Sequence, residues 1–516
     1  TGVGRDLFAP FGASTVLGET VRRLSESKEL AAVVLLVQER DREQVARAVG
    51  GINDGVDVQL VMCTEEIFGR EHDAIRVARA CASSSWRGAL GGLTVYDEVF
   101  APKATAAALE AGSFDGVLLV GPDWARLPVA GANGVDAVVR RFREQPRLGC
   151  TFNQAPPGVG GLVLATSIVQ NYAEQRVRHA SIGHLLGYRP ERPEHDLIAR
   201  DHNVTIDPSL RSAPHRMVVE VVGESVCGFD EPLDDVLAEA EAAARVGNAA
   251  QPPRLLTVEL CTGRSFAGIA HRSGHGECQR PPMSEATFRS IVHEAALRND
   301  VILTLDGAGD PLRHPAFDAF IEIARTVGIQ TIHVRTFLDG ERDSVERLLA
   351  AKPDIISVDL DGDTAEGRHA MHGVDHWDRI IGNMEFLIEH RTRLGSNDLA
   401  AFALPWIVPR LQRREASLEA LPSFFERWRR RLGAAVIDAA PACNPDESIA
   451  STTTPERYLA HEAGRSMTVL CDGTVPLRCN DFLGHEGVGS VHDDSLMTVW
   501  RALLHARSRV GKDGAV

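Results

Sequence analysis

The sequence of 516 residues lacks three features that mark specialised classes of protein. No apolar run approaches the roughly 18 residues of a membrane-spanning helix, and the opening residues do not follow the basic-then-apolar pattern of a secretion signal. Basic residues are outnumbered 55 to 71, and the net charge of −16 argues against general nucleic-acid binding. The nine cysteines are an odd number without regular spacing, unlike a disulfide framework. Together with the length, these absences favour a cytoplasmic globular protein of roughly two to four domains.

Apolar runs separated by helical segments characterise the first half of the sequence. The runs at 31–37, 58–63 and 116–121 are continuous, as in fully buried parallel strands. Their alternation with helices predicts an α/β sheet that binds ligands at the carboxyl ends of its strands. Asp123 follows the third run, where a carboxylate can hold a metal ion or a sugar hydroxyl, or simply form a turn.

The opening segment, residues 4–17, resembles the start of the cytidylyltransferase-type sugar nucleotidyltransferases, which have a GT-A-like Rossmann fold. The resemblance implies that Arg5 contacts a triphosphate and that Asp123 holds Mg²⁺. An Ala/Glu-rich helical segment ends at Gln251-Pro-Pro, which breaks the helix. The sequence therefore predicts a Rossmann-like, nucleotidyltransferase-type domain over residues 1–250.

Strands and helices alternate regularly in the second half. The strand-like runs lie at 255–260, 301–305, 330–335, 355–360, 402–408 and 434–438. The helical segments between them lie near 284–298, 315–327, 342–351, 376–391 and 415–432. Six strands that alternate with five helices predict a parallel sheet curled into a complete or partial (β/α)6 barrel over residues 254–440. Its active face is expected at the carboxyl ends of the strands.

A loop rich in His and Cys follows the first of these strands. Cys261, His271, His275 and Cys278 offer imidazole and thiolate ligands, which suit zinc, or iron in some settings. The alternative is that these side chains are partly buried structural residues without a metal. We expect His271, His275 and Cys278 to converge on one point at the barrel mouth.

Glycines and carboxylates follow the second and fourth strands. Gly307 and Gly309 let the backbone approach a ligand closely, and Asp310 can accept a hydrogen bond from an amine or a hydroxyl. Asp361 follows the fourth strand. Because parallel strands open on one side, we expect Asp310 and Asp361 at the same mouth of the barrel.

In their order along the chain, these segments resemble the radical S-adenosylmethionine superfamily, whose fold is a partial (β/α)6 barrel. Residues 271–278 have the spacing of the family's cluster loop, residues 307–312 resemble its methionine-binding segment, and residues 357–362 resemble its fourth strand. The resemblance implies an iron–sulfur cluster and bound S-adenosylmethionine, with cofactor-binding roles for Gly307, Gly309, Asp310 and Asp361. Here His replaces two of the three cluster cysteines, and clusters are usually held by thiolates. Zinc and iron therefore both stay open for the loop at 261–278.

The tail, residues 441–516, contains a segment at 467–481 that predicts a hairpin with an Asp-Gly turn. With the helix that begins near Ser495, it resembles the SPASM extension of radical enzymes, which carries an auxiliary iron–sulfur cluster. The resemblance implies that His461, Cys471 and Cys479 are metal ligands.

Three hypotheses for the function follow. The first is a radical S-adenosylmethionine-type enzyme, or a divergent descendant, that acts on a sugar, nucleotide or peptide, where the cofactor supplies a hydrogen-abstracting radical and the barrel positions it. The second is a nucleotidyl- or glycosyltransferase with a non-catalytic barrel. The third is a metal-stabilised interaction protein without catalysis. We expect a small-molecule or peptide substrate and no general nucleic-acid or membrane partner. The sequence is also compatible with an oligomeric protein.

Overall fold

The computed structural model divides into two compact units. One unit comprises Thr1–Arg76 and Gly92–Ala243, and the other comprises Val77–Gly91 and Ala244–Val516. The residues that the structure describes are 7–8, 10–11, 13–52, 55–63, 102–122, 124–125, 127–130, 134–144, 150–152, 162–174, 205–206, 249, 251–263, 279–298, 301–329, 331–373, 376–394, 405–413, 415–432, 435–439 and 464–510.

Short strands and five helices make up the described part of the first unit. The strands are β1 (Pro10–Phe11), β2 (Ser14–Thr15), β3 (Ala32–Gln38), β4 (Asp57–Cys63), β5 (Gly116–Leu119), β6 (Cys150–Phe152), β7 (Leu162–Ala165) and β8 (Thr205–Ile206). The helices are α1 (Val16–Ser25), α2 (Arg42–Val49), α3 (Pro102–Gly112), α4 (Val135–Glu144) and α5 (Thr166–Glu174). β3 and β4 pair in parallel, as their continuous apolar runs predict.

The third apolar run pairs differently from its prediction. β5 is antiparallel to β7, with Gly116 opposite Ala165, and β7 is antiparallel to β6. The prediction that β5 pairs in parallel is therefore wrong. Its neighbour is the apolar strand β7, whose Leu162 and Leu164 are buried at 0% and 1% exposure. The Rossmann-like arrangement of the first unit is therefore not confirmed.

Seven parallel strands curl into a half-barrel in the second unit. The strands are β9 (Leu255–Val258), β10 (Ile302–Leu305), β11 (Thr331–Thr336), β12 (Ile355–Asp359), β13 (Trp406–Arg413), β14 (Val436–Ala439) and β15 (Ser466–Val469). The order across the sheet is β14-β13-β12-β11-β10-β9-β15. The six predicted strands thus lie side by side in chain order, and the predicted partial barrel is confirmed in this form.

Helices connect the strands of the half-barrel. They are α6 (Glu285–Ala295), α7 (Phe317–Thr326), α8 (Arg342–Ala351), α9 (Ala365–His372), α10 (Trp377–Leu394) and α11 (Leu421–Leu432). α6 begins after Ser284, whose hydroxyl accepts a hydrogen bond from the Thr287 backbone N–H at 3.1 Å. α9 ends at Gly373, with a φ of 73° that favours glycine. The sequence did not predict α9, because its eight residues carry few apolar side chains. Within the described ranges, no helix is both long and apolar enough to cross a membrane.

The tail contributes a strand to the half-barrel and then turns at the predicted Asp-Gly position. β15 pairs in parallel with β9, Met467 opposite Leu256, and a tight turn follows in which the Gly473 N–H donates to the Leu470 carbonyl. The predicted Asp-Gly turn is present, since the Leu470 N–H also donates to the Thr474 carbonyl across it, but the ladder partner of β15 is β9, and this pairing buries Met467. The remaining elements are β16 (Thr474–Pro476), β17 (Gly487–Ser490) and α12 (Leu496–Val510), of which β16 and β17 pair antiparallel.

Candidate functional site

Alternation along the strands gives the half-barrel an apolar outer face and a mixed inner face, on which polar side chains lie beside the buried Ile355, Trp406 and Val408. Leu303 of β10 and Ile356 of β12, both at 0% exposure, belong to the apolar core. Successive strand residues point to opposite faces, so Thr304, His333 and Ser357 lie on the inside. The His333 Nε2 is 2.7 Å from the Ser357 Oγ, and its Nδ1 is 3.3 Å from the Thr304 Oγ1. Thr304 is partly exposed, whereas His333 and Ser357 are buried.

A row of alternating charges lies nearer the carboxyl ends, on Asp306, Arg335, Asp359 and Arg410. The Arg335 Nε is 3.0 and 3.1 Å from the two carboxylate oxygens of Asp359, and its Nη1 is 3.3 Å from the Asp306 Oδ2. The Arg410 Nε is 3.5 Å from the Asp359 Oδ1. These guanidinium groups compensate the burial of Asp359, which is 0% exposed. Arg335 keeps 16% of its side chain exposed and so presents positive charge to the inside of the half-barrel.

Glu259, directly after β9, holds three segments of the chain together. Its carboxylate is fully buried and accepts hydrogen bonds from the Arg280 Nη2 at 2.8 Å and Nε at 3.2 Å. It also accepts from the backbone N–H groups of Ala308, at 2.8 Å, and Cys471, at 3.1 Å. The loops after β9, β10 and β15 are therefore fixed relative to one another by one side chain.

Gly307 and Gly309 are required by close packing of these loops. A Cβ at Gly307 would lie 2.4 Å from the Glu259 Cγ, and a Cβ at Gly309 would lie 2.6 Å from the Cys261 carbonyl oxygen. Neither distance is compatible with a side chain. The glycines therefore let the loop after β10 lie against the loop after β9, and their predicted cofactor-binding role stays a prediction.

Asp310 fixes the loop that follows β10. Its Oδ1 accepts from the Leu312 N–H at 3.0 Å, and its Oδ2 accepts from the Thr336 hydroxyl at 2.7 Å and the Phe337 N–H at 2.8 Å. Burial raises the pKa of this carboxyl, although the three hydrogen bonds oppose the rise. In the protein itself the carboxylate joins β10 to β11, and its predicted contact with an amine stays a prediction.

Asp361 lies at the same mouth, after β12, and forms a buried pair with His372. Its Oδ2 is 3.1 Å from the His372 Nε2, and its Oδ1 accepts from the Gln412 N–H at 3.0 Å. Burial disfavours ionisation, but the hydrogen bond and charge of His372, the charge of Arg368 and the Gln412 N–H together outweigh it and lower the pKa of Asp361 to about 2. Its φ of 48° is unusual for a residue with a Cβ, so these contacts hold the backbone in a strained conformation.

Three of the predicted metal ligands are described, and each has contacts within the protein. Cys261 is buried, with its Sγ 3.4 Å from the Asp310 carbonyl oxygen, and burial together with the charges of Asp310 and Glu259 raises its pKa to about 12. Burial and the charge of Glu259 also raise the pKa of Cys471. The Cys479 Sγ accepts a hydrogen bond from the Arg507 Nη2 at 3.0 Å. Among the described residues, no group of three His, Cys, Asp or Glu side chains converges as a metal site.

Six predicted site residues lie outside the described residues. They are Arg5, Asp123, His271, His275, Cys278 and His461. The convergence of the opening loop on one point, the Mg²⁺ site and the auxiliary cluster therefore stay predictions.

Sequence reasoning missed the charged row and the role of Glu259. The signal was present: β11 reads Thr-Ile-His-Val-Arg-Thr, so every second residue of a buried strand is polar. That alternation marks a strand with one polar face, and it distinguishes Arg335 and His333 from the apolar residues between them.

Comparisons with known proteins were made on sequence and on structure. No protein-family model matches the sequence, and no curated protein matches it. Among solved structures, BtrN in complex with AdoMet and 2-DOIA is similar at 10% identity, with 49% of this chain and 85% of that chain covered and a TM-score of 0.31. SuiB from Streptococcus suis bound to the precursor peptide SuiA is similar at 14% identity, with 54% and 72% covered and a TM-score of 0.36. The protein anSMEcpe with bound AdoMet is similar at 10% identity, with 48% and 77% covered and a TM-score of 0.38.

These neighbours are radical S-adenosylmethionine enzymes. Identities of 10–14% and TM-scores of 0.31–0.38 are too low to carry an argument about this chain's chemistry. The case for a function therefore rests on the residues of the half-barrel.

Proposed function

We propose that the chain is a radical S-adenosylmethionine-type enzyme whose half-barrel binds the cofactor and a small-molecule or peptide substrate on its inner face. One observation carries the proposal: the inner face carries partly exposed polar side chains at Thr304 and Arg335, whereas the outer face of the same strands is apolar and buried. A barrel interior that served only as a core would be filled with apolar side chains.

The chemistry of the inner face fits S-adenosylmethionine. The cofactor carries a carboxylate and ribose hydroxyls, and the half-barrel offers the Arg335 guanidinium, the Thr304 hydroxyl and the His333–Ser357 pair. When bound and reduced, the cofactor supplies radical chemistry, and the protein supplies binding and orientation.

Cys261 is the one predicted ligand of the loop at 261–278 that lies within the described residues. A metal ligand at this position would be the thiolate, and the Cys261 Sγ lies 3.4 Å from the Asp310 carbonyl oxygen. Any cluster in this proposal depends on the loop at 261–278, whose other predicted ligands lie outside the described residues.

Cofactor binding and metal content test the proposal. Protein purified anaerobically should bind S-adenosylmethionine in equilibrium dialysis, and iron and sulfide analysis should report a cluster. Thr304→Val keeps the side-chain shape and removes the hydroxyl, so we expect binding to weaken by about tenfold. Thr326→Val is the matched control, since Thr326 lies at the exposed end of α7. Absence of S-adenosylmethionine binding by iron-reconstituted wild-type protein would refute the proposal.

The other hypotheses gain no support from the described residues. Neither a phosphate-binding loop nor the predicted Asp123 site of the first unit falls within the part of the chain that the structure describes. The cytoplasmic location and the possibility of an oligomer are carried forward from the sequence as proposals.

A further inference from the structure

Three buried carboxylates lie at the carboxyl ends of β10, β11 and β12. Asp310 has hydrogen bonds to both oxygens, and Asp361 pairs with His372. The third is Asp339, in the loop after β11, whose side chain is only 4% exposed. Within the described residues, its Oδ2 accepts no hydrogen bond. A buried carboxylate oxygen without a donor is costly, so this atom requires an explanation.

The surroundings of Asp339 hold it in place without satisfying it. The Asn383 side-chain amide donates to the carbonyl oxygens on either side, Leu338 at 3.1 Å and Gly340 at 3.0 Å. Leu338 has a φ of 56°, a conformation that costs free energy for a residue with a Cβ. The loop is therefore fixed in a strained conformation that keeps the Asp339 carboxylate at the barrel mouth.

Two side chains face the Asp339 Oδ2 from neighbouring loops, both beyond hydrogen-bond distance. The His376 Nδ1 is 3.8 Å away and itself has no hydrogen-bond partner among the described residues. The Arg313 Nη2 is 3.7 Å away. Arg313 is 43% exposed and His376 is 30% exposed, so a ligand can approach the carboxylate from their side.

We propose that Asp339 and His376 bind a primary ammonium group carried by the substrate. The ammonium donates to the Asp339 Oδ2 and to the His376 Nδ1 of an imidazole protonated on Nε2, which satisfies both atoms at once. Three arginines lie near Asp339: Arg313 at the half-exposed side, the buried Arg368, and Arg379, whose Nη1 donates to the Asp339 carbonyl oxygen at 3.4 Å. None of them donates to the Asp339 Oδ2, so among the described residues this buried oxygen still lacks a donor, which an ammonium group can supply. That the ammonium group belongs to a substrate rests on the proposed function, whereas the binding of an ammonium group by Asp339 and His376 does not.

Propylammonium is the probe, and neutral 1-propanol is its matched analogue. Ligand-observed NMR titrations of the full chain, through the millimolar range at constant pH and ionic strength, give the two affinities. We expect wild-type protein to bind propylammonium and to bind 1-propanol at least about tenfold more weakly, since the hydrogen bond to Asp339 is charge-assisted. Equal affinity for the two probes, or no binding of propylammonium, would overturn the inference.

Asp339→Asn should weaken propylammonium binding by at least about tenfold, because it removes the charge and keeps the shape. Asp343→Asn removes the same charge from an exposed position four residues away, at the start of α8, and should leave binding unchanged. If Asp339→Asn does not fold, His376→Ala provides the second variant at a partly exposed side chain and should weaken binding severalfold. Binding that survives in each folded variant contradicts the inference.

S-adenosylmethionine binding, measured on the same preparations, separates this inference from the proposed function. Wild-type protein that binds S-adenosylmethionine but not propylammonium overturns the ammonium site and leaves the proposed function standing. Protein that binds propylammonium through Asp339 but not S-adenosylmethionine supports the ammonium site and refutes the proposed function.

Discussion

At the scale of single residues, the buried carboxylates at the barrel mouth have different roles although they are chemically alike. Glu259 joins three loops, Asp310 joins two strands, and Asp361 pairs with a histidine. What distinguishes them is the set of donors around each one, which depends on residues distant in the sequence. The consequences of removing each charge should therefore differ.

Glu259→Gln should destabilise the protein by roughly 3–5 kcal/mol, since it leaves the guanidinium of Arg280 buried without its partner charge. Urea unfolding followed by circular dichroism measures the loss. Glu285→Gln breaks an exposed pair with Arg289 and should cost less than about 0.5 kcal/mol. Equal effects of the two substitutions would show that the three-loop junction contributes little.

Asp361 should make stability depend on pH in acid. Its folded-state pKa of about 2 lies below the unfolded value of roughly 3.9, so the pair with His372 stabilises the protein fully above about pH 4–5. That contribution, on the order of 2–3 kcal/mol, is lost as the pH falls through the folded pKa. The difference in unfolding free energy between wild type and Asp361→Asn should be constant from pH 6 to pH 5 and should shrink below about pH 4. A difference that does not change down to pH 3 would argue against the pair.

At the scale of elements, two glycines should respond to alanine in opposite directions. Gly309→Ala places a Cβ 2.6 Å from the Cys261 carbonyl oxygen and should destabilise the loop after β10. Gly382→Ala, in the middle of α10, has no atom within 4 Å of the new Cβ and should stabilise the protein by about 0.5–1 kcal/mol. Thermal unfolding of the two variants checks the sign of each effect.

The strands and helices of the half-barrel could be predicted from local sequence patterns. The pairing of the strands could be predicted only in part. Six strands were identified because continuous apolar runs such as 355–360 are distinctive, and parallel order follows from the intervening helices. β15 and β7 were missed as sheet partners because a strand's pattern does not specify which edge it joins. The site was harder to predict, since the roles of Glu259 and Asp339 depend on side chains from separate loops.

At the scale of the whole molecule, the second unit depends on the end of the chain. A chain that ends at residue 463 loses β15 and α12, and with them Met467 and Trp500, which are both fully buried. Removing a buried side chain of this size lowers the free energy of unfolding by several kcal/mol, and by roughly 3–5 kcal/mol for a tryptophan. We expect this variant to lose cooperative unfolding and to aggregate, whereas a chain that ends at residue 510 should unfold like the full chain. Calorimetry and light scattering measure the two outcomes.

The pairing of β15 with β9 also has a consequence for the order of folding during synthesis. Glu259 and Cys471, which meet across this pairing, are 212 residues apart in the chain. Domains usually begin to fold from their N-terminal part as the ribosome releases it, but here the second edge of β9 waits for a partner strand that is translated about 200 residues later. Until then the edge of β9 exposes unpaired backbone groups, which attract other strands. A nascent chain of this protein should therefore bind chaperones until β15 leaves the ribosome.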